Sequence, residues 1–337
     1  MKYLIFFMVI LTGLLIISCS ESPTYTEAYE YLSLINCDGT NYTKLMETSY
    51  YPLSFSNAQE ILFGGNDRIF SFDLDTFEST MLYPTDGTEW NSSGFELYEQ
   101  NQKILYWYGG GDQDIWNVTI ETGEIENLTN SPNIRERYAK LSPSEDKFAF
   151  IEIDYTNQDS IIWSLKYRDF DSTINETIIS KKQGEGQGEF QYVDWISEDR
   201  LLYTDNDAGL NSGIYIINSD GSNKQFITEG LYLRFSLNTD RTSAVFERDY
   251  EIYLINLSDL TVSQILSGYD PKISPNGQKI AYEDINSDFT IYDTIENTNI
   301  KISESIGDLF IEFSSDGEKV VFKERLVEIH HRDKRIL

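Results

Sequence analysis

The feature that most constrains this chain is a ten-residue hairpin that recurs along it. Ile273 to Tyr282, ISPNGQKIAY, reads as the end of one extended run, a tight polar turn and the start of a second run. Related copies are FSNAQEILF (Phe55 to Phe63), LSPSEDKFAF (Leu141 to Phe150), WISEDRLLY (Trp195 to Tyr203) and FSSDGEKVVF (Phe313 to Phe322). Two degraded copies, LYEQNQKILY (Leu97 to Tyr106) and FSLNTDRTSAVF (Phe235 to Phe246), complete a series of seven. In each, an apolar residue ends a strand, Ser, Pro, Asn, Asp or Gly residues make the turn, and alternating apolar residues follow, usually after Lys or Arg.

The closing aromatic of each copy falls at Phe63, Tyr106, Phe150, Tyr203, Phe246, Tyr282 and Phe322. That spacing, roughly forty to fifty residues, is the period of a propeller blade. Between these inner hairpins lie outer ones, such as Ile69 to Leu82, Ile115 to Thr129, Ile162 to Ile179, Ile214 to Thr228, Ile252 to Leu266 and Ile291 to Ser303. The expected fold is all-β: one seven-bladed β-propeller of four-stranded blades over residues 28–331, with 332–337 a tail. The chain opens with an outer hairpin, Tyr31 to Leu45, and nears its end with an inner one, so the two ends should pair and close the ring. Six or eight blades stay open, because LVEIH in Arg325 to Leu337 could be a further strand that competes with the N-terminal hairpin.

The N-terminus carries a different signal. Lys2 is followed by an apolar run that ends at Ser18, which reads as a secretory leader over 1–18 rather than a spanning helix. Ile16-Ile17-Ser18-Cys19 resembles the bacterial lipobox. The resemblance implies that Cys19 is the lipidation site, that 19–27 is a lipidated tether, and that several acyl chains hold the protein on a bilayer. Ser20 after the Cys, by resemblance to diderm lipoproteins, points to the outer membrane; periplasmic and surface orientations both stay open. Cys37 is then the only other thiol, so no intrachain disulfide is expected.

The formal net charge of −30 argues against nucleic acid, which wants a basic face. Lys181 to Glu189, KKQGEGQGE, reads as a mobile loop between blades, and Tyr83 to Gly94 as a loop carrying Trp90.

The SPNGQKIAY and FSSDGEKVVF hairpins, each followed by an I-Y/W-x-I/V/L outer strand, resemble the WD40-like repeats of TolB-type propellers and of the N-terminal propellers of prolyl oligopeptidase-like proteins. That resemblance covers nearly the whole chain after the leader and speaks for fold, not function. A peptidase would need a G-x-S-x-G elbow, which the chain lacks. A propeller lyase, similar to oligogalacturonate lyases, would need histidines converging on the channel, and only His330 and His331 are present. Asp112-Gln113-Asp114 and Asp205 to Gly209 lack the full calcium-loop spacing and read as turns. No metal or cofactor is expected, and no catalytic residue.

Trp116, Trp163 and Trp195 occupy core slots of the repeat. Trp90 and Trp107 do not, and are the candidates for stacking on a sugar, although core packing also accounts for Trp107. Superposing the repeats places Ser54, Glu96, Lys140, Asp194, Arg234, Lys272 and Glu312 one residue before the apolar end of each innermost strand. Period-two alternation turns this polar set away from the apolar one, toward the axis. Two roles fit such a ring: ion pairs that lock neighbouring blades, or a polar ligand site. The expected function is a non-catalytic envelope lipoprotein, monomeric, whose propeller binds an envelope protein. The alternatives are a carbohydrate- or small-ligand-binding module and, third, a lyase or hydrolase.

Overall fold

The computed structural model describes residues 24–47, 51–57, 59–65, 68–83, 92–98, 102–108, 113–157, 159–183, 189–206, 212–231, 233–303 and 311–331. Cys19 and Trp90 lie outside them. The strands form seven separate sheets of four. Six are consecutive in sequence: blade two (51–83), blade three (92–127), blade four (134–182), blade five (189–229), blade six (235–267) and blade seven (269–303).

Blade one is built from both ends of the chain. Ile311–Phe313 and Lys319–His331 form its inner strands, and Thr24–Asn36 and Thr43–Glu47 its outer ones. Thr24 pairs with His331 and the ladder continues without a slip to Asn36 with Lys319. LVEIH is therefore the continuation of an inner strand and no competitor to the N-terminal hairpin. Thr24 to Glu27, in the segment expected as tether, belong to this ladder too.

The turns repeat one hydrogen-bond scheme. In the Ser274 turn the amide of Lys279 donates to Ser274 Oγ at 2.9 Å and that of Gly277 to the Ser274 carbonyl at 2.9 Å. The Ser314 turn repeats it, with Lys319 on Ser314 Oγ at 2.9 Å and Gly317 on the Ser314 carbonyl at 2.8 Å. Gly277 and Gly317 both have φ of 74°, where a side chain is strained. Glu145 and Arg241 hold the same place in the turns of blades four and six, at φ of 58° and 56°.

The core is not central but lies between blades. Apolar side chains gather in seven clusters, each shared by two successive blades. Trp195 of blade five, fully buried, packs with Ala149, Trp163 and Leu165 of blade four. Phe313 and Phe322 of blade one pack with Phe289 and Ile291 of blade seven. Middle strands are thus covered on both faces, which is why Lys147–Asp154 is buried at nearly every position. Within blades, the repeat aromatics stack across strands: Phe63 on Phe70 at 5.2 Å, Tyr203 on Tyr215 at 5.7 Å, Phe246 on Tyr253 at 5.2 Å. Blades four and seven depart from this register, and Trp163 and Tyr292 face Ile153 and Ile280 instead.

Lys181 does not belong to a loop. It lies in the strand Glu176–Lys182, and its ammonium makes a buried ion pair with Asp205 of blade five. The loop is shorter than expected because Lys181 is held by the Asp205 carboxylate and by the Phe190 ring, over which its ammonium nitrogen lies 4.2 Å from the centroid. The same Asp205 carboxylate also meets Lys224 at 3.4 Å, so two ammonium groups take up the acid that a calcium loop would have needed.

Candidate functional site

Each innermost strand runs toward one end of the ring, the turn end, where its hairpin turn lies. The opposite, crossing end holds the turns between second and third strands and the links between blades. The seven polar positions sit near the turn end. Five of the innermost strands slip register just before reaching them, at Pro52/Ser54, Ser92/Gly94, Arg137/Lys140, Phe190/Val193 and Tyr269/Lys272. A bulge there re-aims the residue that follows.

Glu96, Lys140, Asp194, Lys272 and Glu312 line one cavity of about 520 Å³. Lys140, Asp194, Arg234, Lys272 and Glu312 line its continuation, about 490 Å³. With Arg241 these residues come from six of the seven blades, and only the axis of a ring touches that many. Ser54 holds the equivalent backbone position, opposite Leu62, but its side chain is outside the described residues.

The charges pair across blade junctions. Lys140 Nζ donates to Glu96 Oε1, whose other oxygen accepts from the Leu141 amide at 2.8 Å. Lys272 Nζ lies 2.8 Å from Glu312 Oε1. Asp194 pairs with Arg241 at 3.0 Å. Trp195 Nε1 donates to the Lys140 carbonyl at 3.0 Å, and the Ile273 amide to Ser236 Oγ at 3.3 Å. Every junction from blade three round to blade one is tied in this way. Burial works against the charge on Lys140, but Glu96, Asp194 and Glu312 outweigh it and raise its pKa. Burial also lifts Glu96, which Lys140 opposes and Asp194 reinforces.

Three side chains beyond the expected set complete the wall. Tyr192 and Asp270 lie within the register slips that precede Asp194 and Lys272, so simple alternation does not mark them, and the structure brings both to the cavity. Arg241 reaches the cavity from a turn, and no periodicity marks it. Tyr192 is packed at 5.0 Å against Tyr138, and Arg234 lies 5.6 Å over the Tyr192 ring. Arg234 makes no ion pair with a described carboxylate.

Trp107 is core. It is 7% exposed, 6.2 Å from Tyr138, and a Cβ on Gly94 would come within 2.0 Å of its ring. No face is left for a sugar, because the strand side opposite Tyr106 is covered by blade four. His330 and His331 pair with Tyr25 and Thr24 at the far end of the closing ladder, on the crossing side. Among the described residues no three His, Cys, Asp or Glu side chains gather as a metal-binding group.

Similar proteins agree on architecture. No known protein family pattern matches this chain, and no curated protein matches its sequence. Among solved structures, an oligogalacturonate lyase from Vibrio parahaemolyticus is similar with a TM-score of 0.65 at 12% identity, over 90% of this chain and 98% of that one. A protein assigned as TolB from Agrobacterium tumefaciens is similar at 0.54 and 12% identity, over 89% and 99%. A puromycin-hydrolyzing peptidase from Mycobacterium tuberculosis is similar at 0.62 and 12% identity, over 80% of this chain and 49% of that one. At such identity the likeness establishes a β-propeller and nothing of its chemistry.

Proposed function

We propose that this chain is a non-catalytic lipoprotein of the bacterial envelope, anchored through Cys19, whose propeller is a rigid scaffold for a protein partner. The observation that carries this reading is an exposed apolar arc at the crossing end of blades five to seven. Leu231, Tyr250 and Ile285 are 59%, 64% and 66% exposed there. Neighbouring blades are in contact there: Arg248 Nη1 donates to the Glu229 carbonyl at 3.1 Å, Tyr250 packs on Tyr269 at 5.3 Å, and Gly268 abuts Tyr282 and Glu283. Aromatic and aliphatic residues rimmed by acids, here Glu247, Asp249 and Asp270, have the composition of a docking surface. Thr24, within the segment expected as tether, lies at the same end, so the arc would face a partner near the membrane.

A second reading, a module that binds a carbohydrate or other small polar ligand in the axial cavity, is favoured by Arg234, a cation of that cavity that lies over the Tyr192 ring and forms no ion pair with a described carboxylate. The lyase and peptidase among the similar structures lend the fold but, at 12% identity, no chemistry.

Crosslinking in intact cells, with affinity purification and mass spectrometry, tests the first reading. One envelope protein should copurify stoichiometrically with the wild type and be lost with Cys19→Ala. If nothing is captured, the ligand-binding reading takes precedence and a glycan screen with Arg234→Ala follows.

A further inference from the structure

The junction of blades three and four, at the crossing end, buries an acid that forms no ion pair with a described lysine or arginine, although the Arg168 guanidinium lies close enough to feel its charge. Glu136 is the third residue of Ile134–Leu141 and is fully buried. Its amide donates to the Gln113 carbonyl at 2.6 Å, and Thr129 Oγ1 donates to its Oε2 at 2.8 Å. Its other oxygen, Oε1, has no partner. A buried carboxylate oxygen left bare is costly, more so when charged.

A second carboxylate belongs to the same knot. Asp114 accepts from Asn127 Nδ2 at 2.7 Å and from the Ser131 amide at 3.1 Å. Thr129 Oγ1, which holds Glu136, itself accepts from the Ile115 amide at 3.0 Å, next to Asp114. The charged groups nearby are engaged elsewhere. Glu152, opposite Glu136 in the ladder, pairs with Lys166 at 2.7 Å. Arg168 donates to the Leu128 and Ser172 carbonyls. Arg137 follows Glu136 and so points to the other side of the strand, over Trp163 at 4.9 Å. Neither Asp114 nor Glu136 forms an ion pair with a described lysine or arginine.

We infer that Asp114 and Glu136, with the hydroxyl oxygen of Ser131, hold a hard divalent cation of the calcium class. All the available donors are oxygens, which suits calcium and excludes soft metals. Two carboxylates and few further protein ligands imply a weak site completed by water, with a Kd on the order of 10⁻⁴–10⁻³ M, as in extracellular modules. The cation would clamp two blades through the link between them and supply the missing partner of Oε1.

Calcium titrated into chelator-treated protein, followed by calorimetry and thermal unfolding, tests this. The wild type should bind one calcium and gain several degrees in Tm at 5 mM; Glu136→Gln and Asp114→Asn should each weaken binding at least tenfold. Asp114→Asn keeps the question open to measurement if Glu136→Gln does not fold. Two results overturn the proposal: no binding by the wild type, or a wild-type calcium response in both variants. In either case Glu136 is a protonated acid with a buried water on Oε1.

Discussion

The Arg241 guanidinium lies 3.0 Å from the Asp194 carboxylate, across the junction between blades six and five. The ring position of blade six is Arg234, so the neighbour that neutralises Asp194 is not its counterpart in the repeat. Arg241 sits in a left-handed turn conformation that its homologous positions Gly277 and Gly317 fill without strain, and it also donates to the Trp195 carbonyl. The strained backbone is what brings the side chain to the axis.

Because both side chains are about one-fifth exposed, the pair should couple only modestly. A double-mutant cycle of Asp194→Asn and Arg241→Met should give about 0.5–1 kcal/mol by chemical denaturation. A coupling indistinguishable from zero would show that this pair has no part in locking blades five and six.

Glu145 holds the equivalent left-handed turn position in blade four, at φ of 58°. Relieving a left-handed side chain gains roughly 1 kcal/mol, partly offset by the flexibility of glycine when unfolded. Glu145→Gly should therefore raise the Tm slightly, whereas Gly277→Ala should lower it. Scanning calorimetry of the two variants settles the signs.

The hairpins were legible because their turns obey local rules: a Ser or Asn that caps the turn, a Gly three residues on, and strict alternation afterwards. Period two fixes which side chains share a face, and six of the expected ring positions, Ser54 apart, do line the axial cavity. Closure by the two ends followed from the order of inner and outer hairpins. What the chain conceals depends on tertiary context. Arg241 breaks the turn rule for a contact 47 residues away. Lys181 looks like loop composition until Asp205 is brought to it. Trp107 looks free until Gly94 makes room for its ring, and Glu136 looks like an ordinary strand acid until the link at Thr129 closes over it.

Acid should loosen the turns before the core. Asp38, Asp73, Asp146, Asp220, Asp259, Asp293 and Asp316 accept side-chain or backbone hydrogen bonds in their turns, and each is held below the ordinary 3.8. A carboxyl with a depressed folded pKa stabilises above its unfolded value and loses that contribution as pH falls through the folded one. The Tm should hold near pH 5 and decline progressively below about pH 4. A Tm that rises continuously down to pH 2.5 would contradict this origin.

Cys37 reports on ring closure. Its thiol is buried and donates to the Gly317 carbonyl at 3.2 Å, its amide donates to the Glu318 carbonyl at 2.8 Å, and burial pushes its pKa up to about 12. In protein with Cys19 replaced by Ala, a maleimide should react with Cys37 only when the closing blade opens. Labelling should therefore be orders of magnitude slower in buffer than in denaturant. Equal rates would mean that the ends do not clasp.

Docking of a protein on the apolar arc would be abolished by charging it. The amount of crosslinked envelope partner recovered from cells is compared between the wild type and a Tyr250→Asp, Ile285→Asp double variant, with Lys272→Ala at the opposite, turn end as control. Charging the arc should cut recovery at least tenfold while the double variant keeps the wild-type Tm and Lys272→Ala keeps its partner. Undiminished recovery with the charged arc, or loss only with Lys272→Ala, would contradict the account.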